Sequence, residues 1–189
     1  MPNMLKKGTQ TEIEALNAVI DSLKENLKEV VETKTSIKND MEKVEKDLVE
    51  TENDMQKANE NLDKLEKLLD NIEKEIDEVD GRIKGILENK NVDAEKIDVC
   101  FKKMEELIDK KNICQKDIVT QELEKFKLLD KFEGLKNEYK DLEARNTSML
   151  EKGAMLEKKF KALENQKSEL EKEIEKEDIE KYYNGEPVE

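Results

Sequence analysis

One pattern leaves few folds open to this chain: apolar residues return at alternating steps of three and four along most of its length. The stripe runs Ile13, Leu16, Ile20, Leu23, Leu27, Val30 and, past an interruption at Lys34, Ile37, Met41, Val44 and Leu48. It continues through Thr51, Met55, Ala58, Leu62, Leu65, Leu69, Ile72, Ile76, Val79 and Ile83 to Ile86. A mean step of about 3.5 residues held over about eleven heptads is a coiled-coil seam, narrower than the apolar face of a globular amphipathic helix. With Ile13 taken as position a and Leu16 as d, the chain reads as all-α and as a long coiled coil.

Composition agrees. Of 189 residues, 44% are charged, 35% hydrophobic and 4% aromatic, too little apolar material to close a globular core of this length. A disordered chain shares the charge but not a sustained heptad.

The seam divides the chain. Residues 1–9 carry no period and read as a flexible N-terminus. A first helix spans 10–88, with Thr11-Glu12-Ile13-Glu14 matching a capping box at its start. The stripe weakens over 89–93, where Asn89, Asn91 and an N-cap candidate, Asp93, make a turn. A second helix spans 94–183 in the same phase, through Ile97, Cys100, Met104, Leu107, Cys114, Ile118, Leu128, Phe132, Leu135, Tyr139 and Leu142 to Ile174. Lys111, Gln121, Lys125, Asn146, Gly153 and Lys167 interrupt that seam. Asn184-Gly185 suits a C-cap, Pro187 stops the helix, and 184–189 read as a flexible C-terminus.

Flanking charges choose how the helices pair. In a parallel homodimer Asp40–Glu45, Asp47–Glu52, Glu75–Asp80, Asp117–Glu122 and Glu138–Glu143 would meet as like charges, and each seam lysine would stack on its own copy. Antiparallel pairing about the turn instead brings together core partners whose numbers sum to 183. Ile76 then faces Leu107, Leu69 faces Cys114, Leu23 faces Phe160, Thr51 faces Phe132 and Val30 faces Gly153. The flanks gain Glu75–Lys110, Asp54–Lys131, Asp40–Arg145, Glu45–Lys136, Lys38–Glu143 and Lys24–Glu157. Val31 and Leu150 would cover one another across the seam. Two long helices paired antiparallel are expected, as a hairpin or as a full-length antiparallel dimer making the same contacts; a parallel heterodimer, whose partner supplies the opposite charges, is the third option.

A net charge of −14 argues against nucleic acid and anionic membranes as partners. No apolar run approaches the roughly 20 residues of a membrane span, and the first ten residues do not read as a secretory signal. Two cysteines, Cys100 and Cys114, make no disulfide framework, which favours an intracellular, cytoplasmic setting with nuclear and cytoskeletal sites left open. Both fall at d, where they serve as small seam residues, and at about 21 Å apart along a helix they cannot share a metal ion. The chain has no histidine, so the commonest general base and metal ligand is missing. No catalytic residue, no metal ligand and no cofactor is expected, and the chain reads as a non-enzyme.

What remains are surfaces for other proteins. Phe101 and Ile108 at e, with Phe126 and Leu129, widen the apolar face between about Val99 and Leu135 enough to dock a further helix. The exposed tail pair Tyr182-Tyr183 and the turn from Leu87 to Asp93 are the other candidates. The expected partners are proteins: copies of this chain or other coiled-coil subunits. The expected role is a structural spacer, tether or scaffold in a cytoskeletal or chromosome-segregation type of assembly. The alternative is an adaptor that captures a partner helix on residues 99–135.

Overall fold

The computed structural model describes residues 2–185, with side chains from Lys7 onward. Two helices, α1 (Pro2–Glu88) and α2 (Ala94–Tyr183), make up nearly all of it, with no strand among the described residues. They pack against each other antiparallel within one chain, so the fold is an all-α helical hairpin. Glutamate, lysine and leucine dominate both helices and no proline falls inside either, which suits uninterrupted helix over 87 and 90 residues.

The turn forms where the sequence weakens. Asn89 N donates to Ile86 O at 3.3 Å, closing α1 with a tighter turn. Asp93 is the N-cap of α2: its Oδ1 accepts from Glu95 N at 3.1 Å and Lys96 N at 3.4 Å, and its carbonyl accepts from Ile97 N. At the other end Gly185 takes φ +72°, the left-handed conformation of a helix C′ residue, and its N–H donates to Tyr182 O. Pro187 lies outside the described residues.

The start of α1 differs from the sequence reading. The helix begins at Pro2, not near residue 10. Thr11 therefore caps nothing; its Oγ1 donates to Lys7 O at 2.9 Å, one turn back. A threonine hydroxyl satisfied by the preceding turn is compatible with a helix interior, and a proline at the first helical position has no N–H to leave unpaired.

The chain divides into two compact units. Val44–Glu138 contains the turn; Met1–Lys43 with Tyr139–Glu189 contains the termini. In the turn unit Val79, Ile83 and Leu107 form a buried cluster, with Ile76, Cys100 and Met104 packed against it. These six are three facing pairs of the 183 register. Thr51 is fully buried, its hydroxyl donating to Asp47 O at 2.7 Å, and Lys136 Nζ lies 4.5 Å above the Phe132 ring. In the terminal unit a Cβ built on Gly153 would lie 3.3 Å from Val30 Cγ1. That close approach is the predicted Val30–Gly153 pair, and it fixes the same register there. Lys24 Nζ lies 5.9 Å over the Phe160 ring.

Every seam position named above, from Ile13 to Ile86 and from Ile97 to Ile174, is buried or half-buried. Lys34, Lys111, Lys125 and Lys167 are half-buried, their stems laid on the seam. The flanks behave differently. Among the described residues, Glu75–Lys110, Asp54–Lys131, Asp40–Arg145, Lys38–Glu143 and Lys24–Glu157 do not close to ion-pair distance, whereas Lys111 Nζ reaches Glu73 Oε1 at 3.5 Å. Val31 and Leu150 stay exposed instead of covering one another. Side chains at e and g diverge into water, where an ion pair contributes at most about 1 kcal/mol and pays for the ordering of two long side chains.

Candidate functional site

The two cysteines are absorbed by the seam. Cys114 is buried and its thiol donates to Leu65 O at 3.3 Å. Burial, and behind it the carboxylate of Asp117, push that thiol above its ordinary range, away from the reactive thiolate. Cys100 is half-buried beside the Val79–Leu107 cluster. Among the described residues no group of three His, Cys, Asp or Glu side chains is placed to hold a metal, and no helix is long and apolar enough to cross a membrane.

Off the seam, α2 carries a stripe of exposed apolar side chains. Phe101, Ile108 and Leu129 occupy e positions of α2 and Phe126 a b position, all in the turn unit and all on the same flank of the helix. Their exposures are 51%, 45%, 37% and 67%. The seam takes the a and d side chains, so these four stay exposed among the described residues.

Two further residues complete the flank: Val119 at b and Leu123 at f, both exposed, bridge the interval between Ile108 and Phe126. Their spacing of four, three and three to Phe126 and Leu129 is itself a helical stripe. The sequence signal for them is the b and f positions next to Phe126, where Val119 and Leu123 continue its side of the helix. Between Ile108 and Val119 the stripe is carried by Asn112 and Gln115, uncharged residues that line a shallow depression with Lys116, Val119 and Thr120.

The opposite side of the same unit is grooved. Leu68, Ile72, Ile113 and Cys114 line a depression of about 430 Å³ between the helices, edged by Glu75 and Lys110. Near the turn, Arg82, Gly85, Ile86, Lys96, Val99 and Cys100 border another of about 580 Å³. All of these are c, d or g positions, so the g side and the e side of the pair are distinct faces.

Tyr182 and Tyr183 belong to the terminal unit. Their rings meet edge to face, with centroids 6.1 Å apart and planes at 81°, and both are exposed. No family model matches the chain, and neither curated proteins nor solved structures provide a match.

Proposed function

We propose that this chain is a non-catalytic structural subunit, a spacer or tether within an intracellular protein assembly of the cytoskeletal or chromosome-segregation type. The observation that carries this reading is the use of nearly the whole chain for one seam, from Ile13 to Ile86 and from Ile97 to Ile174, with the a and d positions of both helices buried or half-buried. A seam of this kind commits its apolar side chains to helix pairing, which suits a spacer or tether. Histidine is missing from the sequence, and the two thiols serve as seam residues, which supports a role without catalysis.

A second reading is favoured by one observation, the uncovered stripe on α2 from Phe101 to Leu129. On that reading the chain is an adaptor and the stripe is where a partner helix rests. Replacing Phe101 and Ile108 with glutamate separates the two, followed by crosslinking of the native assembly. A spacer keeps its helicity and all of its neighbours. An adaptor keeps its helicity and loses one neighbour selectively. Loss of every neighbour with the helix intact contradicts the spacer reading.

A further inference from the structure

The exposed stripe has an electrostatic setting that narrows what can lie on it. In an antiparallel pair, e positions border e positions, so Phe101 lies across from Asp80, Ile108 from Glu73 and Gln115 from Glu66. The Lys111–Glu73 contact at 3.5 Å places the Glu73 side of α1 along that edge. One position further out, at b, α1 carries Asp63, Asp70 and Asp77. Six carboxylates at 63, 66, 70, 73, 77 and 80 thus form one wall at steps of three and four, all exposed, beside an apolar strip on α2.

Two of the six are answered from within: Asp80 by Lys84 at 3.1 Å and Glu73 by Lys111. The opposite side is different, mixing Arg82, Lys96, Lys103 and Lys110 with Glu75 and Asp117. Like charges three and four apart oppose helix formation; Lys67 and Lys74 stand beside the wall on α1, and neither closes an ion pair to it among the described residues. A second copy fits poorly. Laid antiparallel so that Phe101 meets Phe126 and Ile108 meets Val119, it sets Glu105 against Glu122 twice.

Resting on the adaptor reading and extending it, we infer that this face takes a cationic amphipathic helix from another protein. Its apolar side chains, at i, i+3, i+4 and i+7, lie on Phe101, Ile108, Val119, Leu123 and Phe126. Lysines or arginines along one edge face the wall from Asp63 to Asp80. Phe101 to Phe126 covers about 38 Å, some seven turns of partner helix. Apolar contact holds the helix, and the wall sets its orientation and rejects acidic competitors.

The test uses the full chain and two labelled 24-residue peptides with one leucine pattern, one carrying lysine on the flank and the other glutamate. Fluorescence anisotropy at 0.15 M salt should show the lysine peptide binding at least tenfold tighter. Phe101→Glu with Phe126→Glu should weaken it tenfold or more, although those changes add negative charge. Leu68→Glu with Ile113→Glu, the same added charge on the other side, should leave it within twofold. Asp63→Lys, Asp70→Lys and Asp77→Lys together should turn the preference toward the glutamate peptide, with helicity by circular dichroism unchanged in every variant.

Equal binding of both peptides, abolished by the stripe variant, overturns the cationic partner and leaves the adaptor reading standing. Binding of neither peptide, or binding indifferent to the stripe variant, overturns both. A doubled mass by light scattering that the stripe variant halves gives the face to a second copy, and overturns the proposal.

Discussion

The two helices spend the same heptad differently. Along α1 the seam is filled by small and branched residues that disappear from water: Ile20, Val30, Ile37, Val44, Thr51, Ala58, Ile72 and Val79 are all buried. Along α2 large residues such as Phe132, Tyr139 and Phe160 do the covering and stay half-exposed, and Leu107, Cys114 and Leu142 are its buried apolar members. Off the seam the contrast reverses. Exposed large apolar side chains on α1 are scattered at Val19, Val31, Val49, Leu68 and Leu87, whereas on α2 eight gather from Val99 to Leu129, with Leu150, Met155, Ile179, Tyr182 and Tyr183 beyond them. One helix is finished by its partner and the other retains an uncovered face. A heptad therefore states that a helix pairs, while the residues beside the heptad state whether pairing is complete.

The comparison breaks most readily at Leu107 and Phe126. Leu107, with 0% exposure, touches the Val79–Ile83 cluster, so Leu107→Ala should lower stability by about 2–5 kcal/mol. Phe126→Ala should stay within about 0.5 kcal/mol, because that ring is not part of the folded core. Chemical denaturation of both variants decides it; equal losses would mean that the uncovered face is structural after all.

Next comes the close approach of the helices at Gly153. Gly153→Leu should cost about 1–3 kcal/mol by driving its side chain into Val30. The other mid-helix glycines sharpen this, since a Cβ at Gly81, Gly85 or Gly134 meets nothing within 4 Å. Gly134→Ala should raise the thermal midpoint, through a gain of about 0.5–1 kcal/mol in helix propensity.

The cap at the turn ranks beside it. Asp93→Ala removes the acceptor for Glu95 N and Lys96 N and should cost about 1 kcal/mol. Hydrogen exchange should quicken in the first turn of α2 before anywhere else in that unit. Asp93→Asn should restore most of the loss.

The smallest effect concerns the thiols. With its pKa raised in the fold, Cys114 keeps its proton at pH values where the unfolded chain has released it. Its contribution is therefore nil below the usual thiol range of about 8.5, and stability declines as pH rises through that range toward the folded value. Cys114→Ala should flatten that decline in pH-dependent melting curves. At neutral pH a maleimide should label Cys100 well ahead of Cys114.

Much of the fold was legible because a strict heptad and an antiparallel partner each leave a periodic trace. The seam, the 183 register, the Asp93 cap and the Gly185 terminus follow from residues whose burial or backbone geometry admits few alternatives. The beginning of α1 was not legible, because Thr11 and Glu14 satisfy a capping pattern equally well inside a helix, where the threonine hydroxyl bonds backwards. Five of the flanking ion pairs were over-read. Charges at e and g decide which orientation is tolerated, but solvent leaves little reason for a given pair to close, and Lys24 lies over the Phe160 ring instead of closing on Glu157. Four of the six apolar residues of the candidate surface were legible: Phe101, Ile108, Phe126 and Leu129. Val119 and Leu123 were missed because they stand on the side of the helix that a seam-centred reading treats as solvent.

The register has a consequence for how such a chain can change over time. Because position i meets position 183 − i, a seven-residue insertion in one arm displaces every partner beyond it unless the other arm gains seven at the mirror-image place. Length can drift only in matched steps about the turn, and lineages of this fold should carry their gaps as reflections of one another.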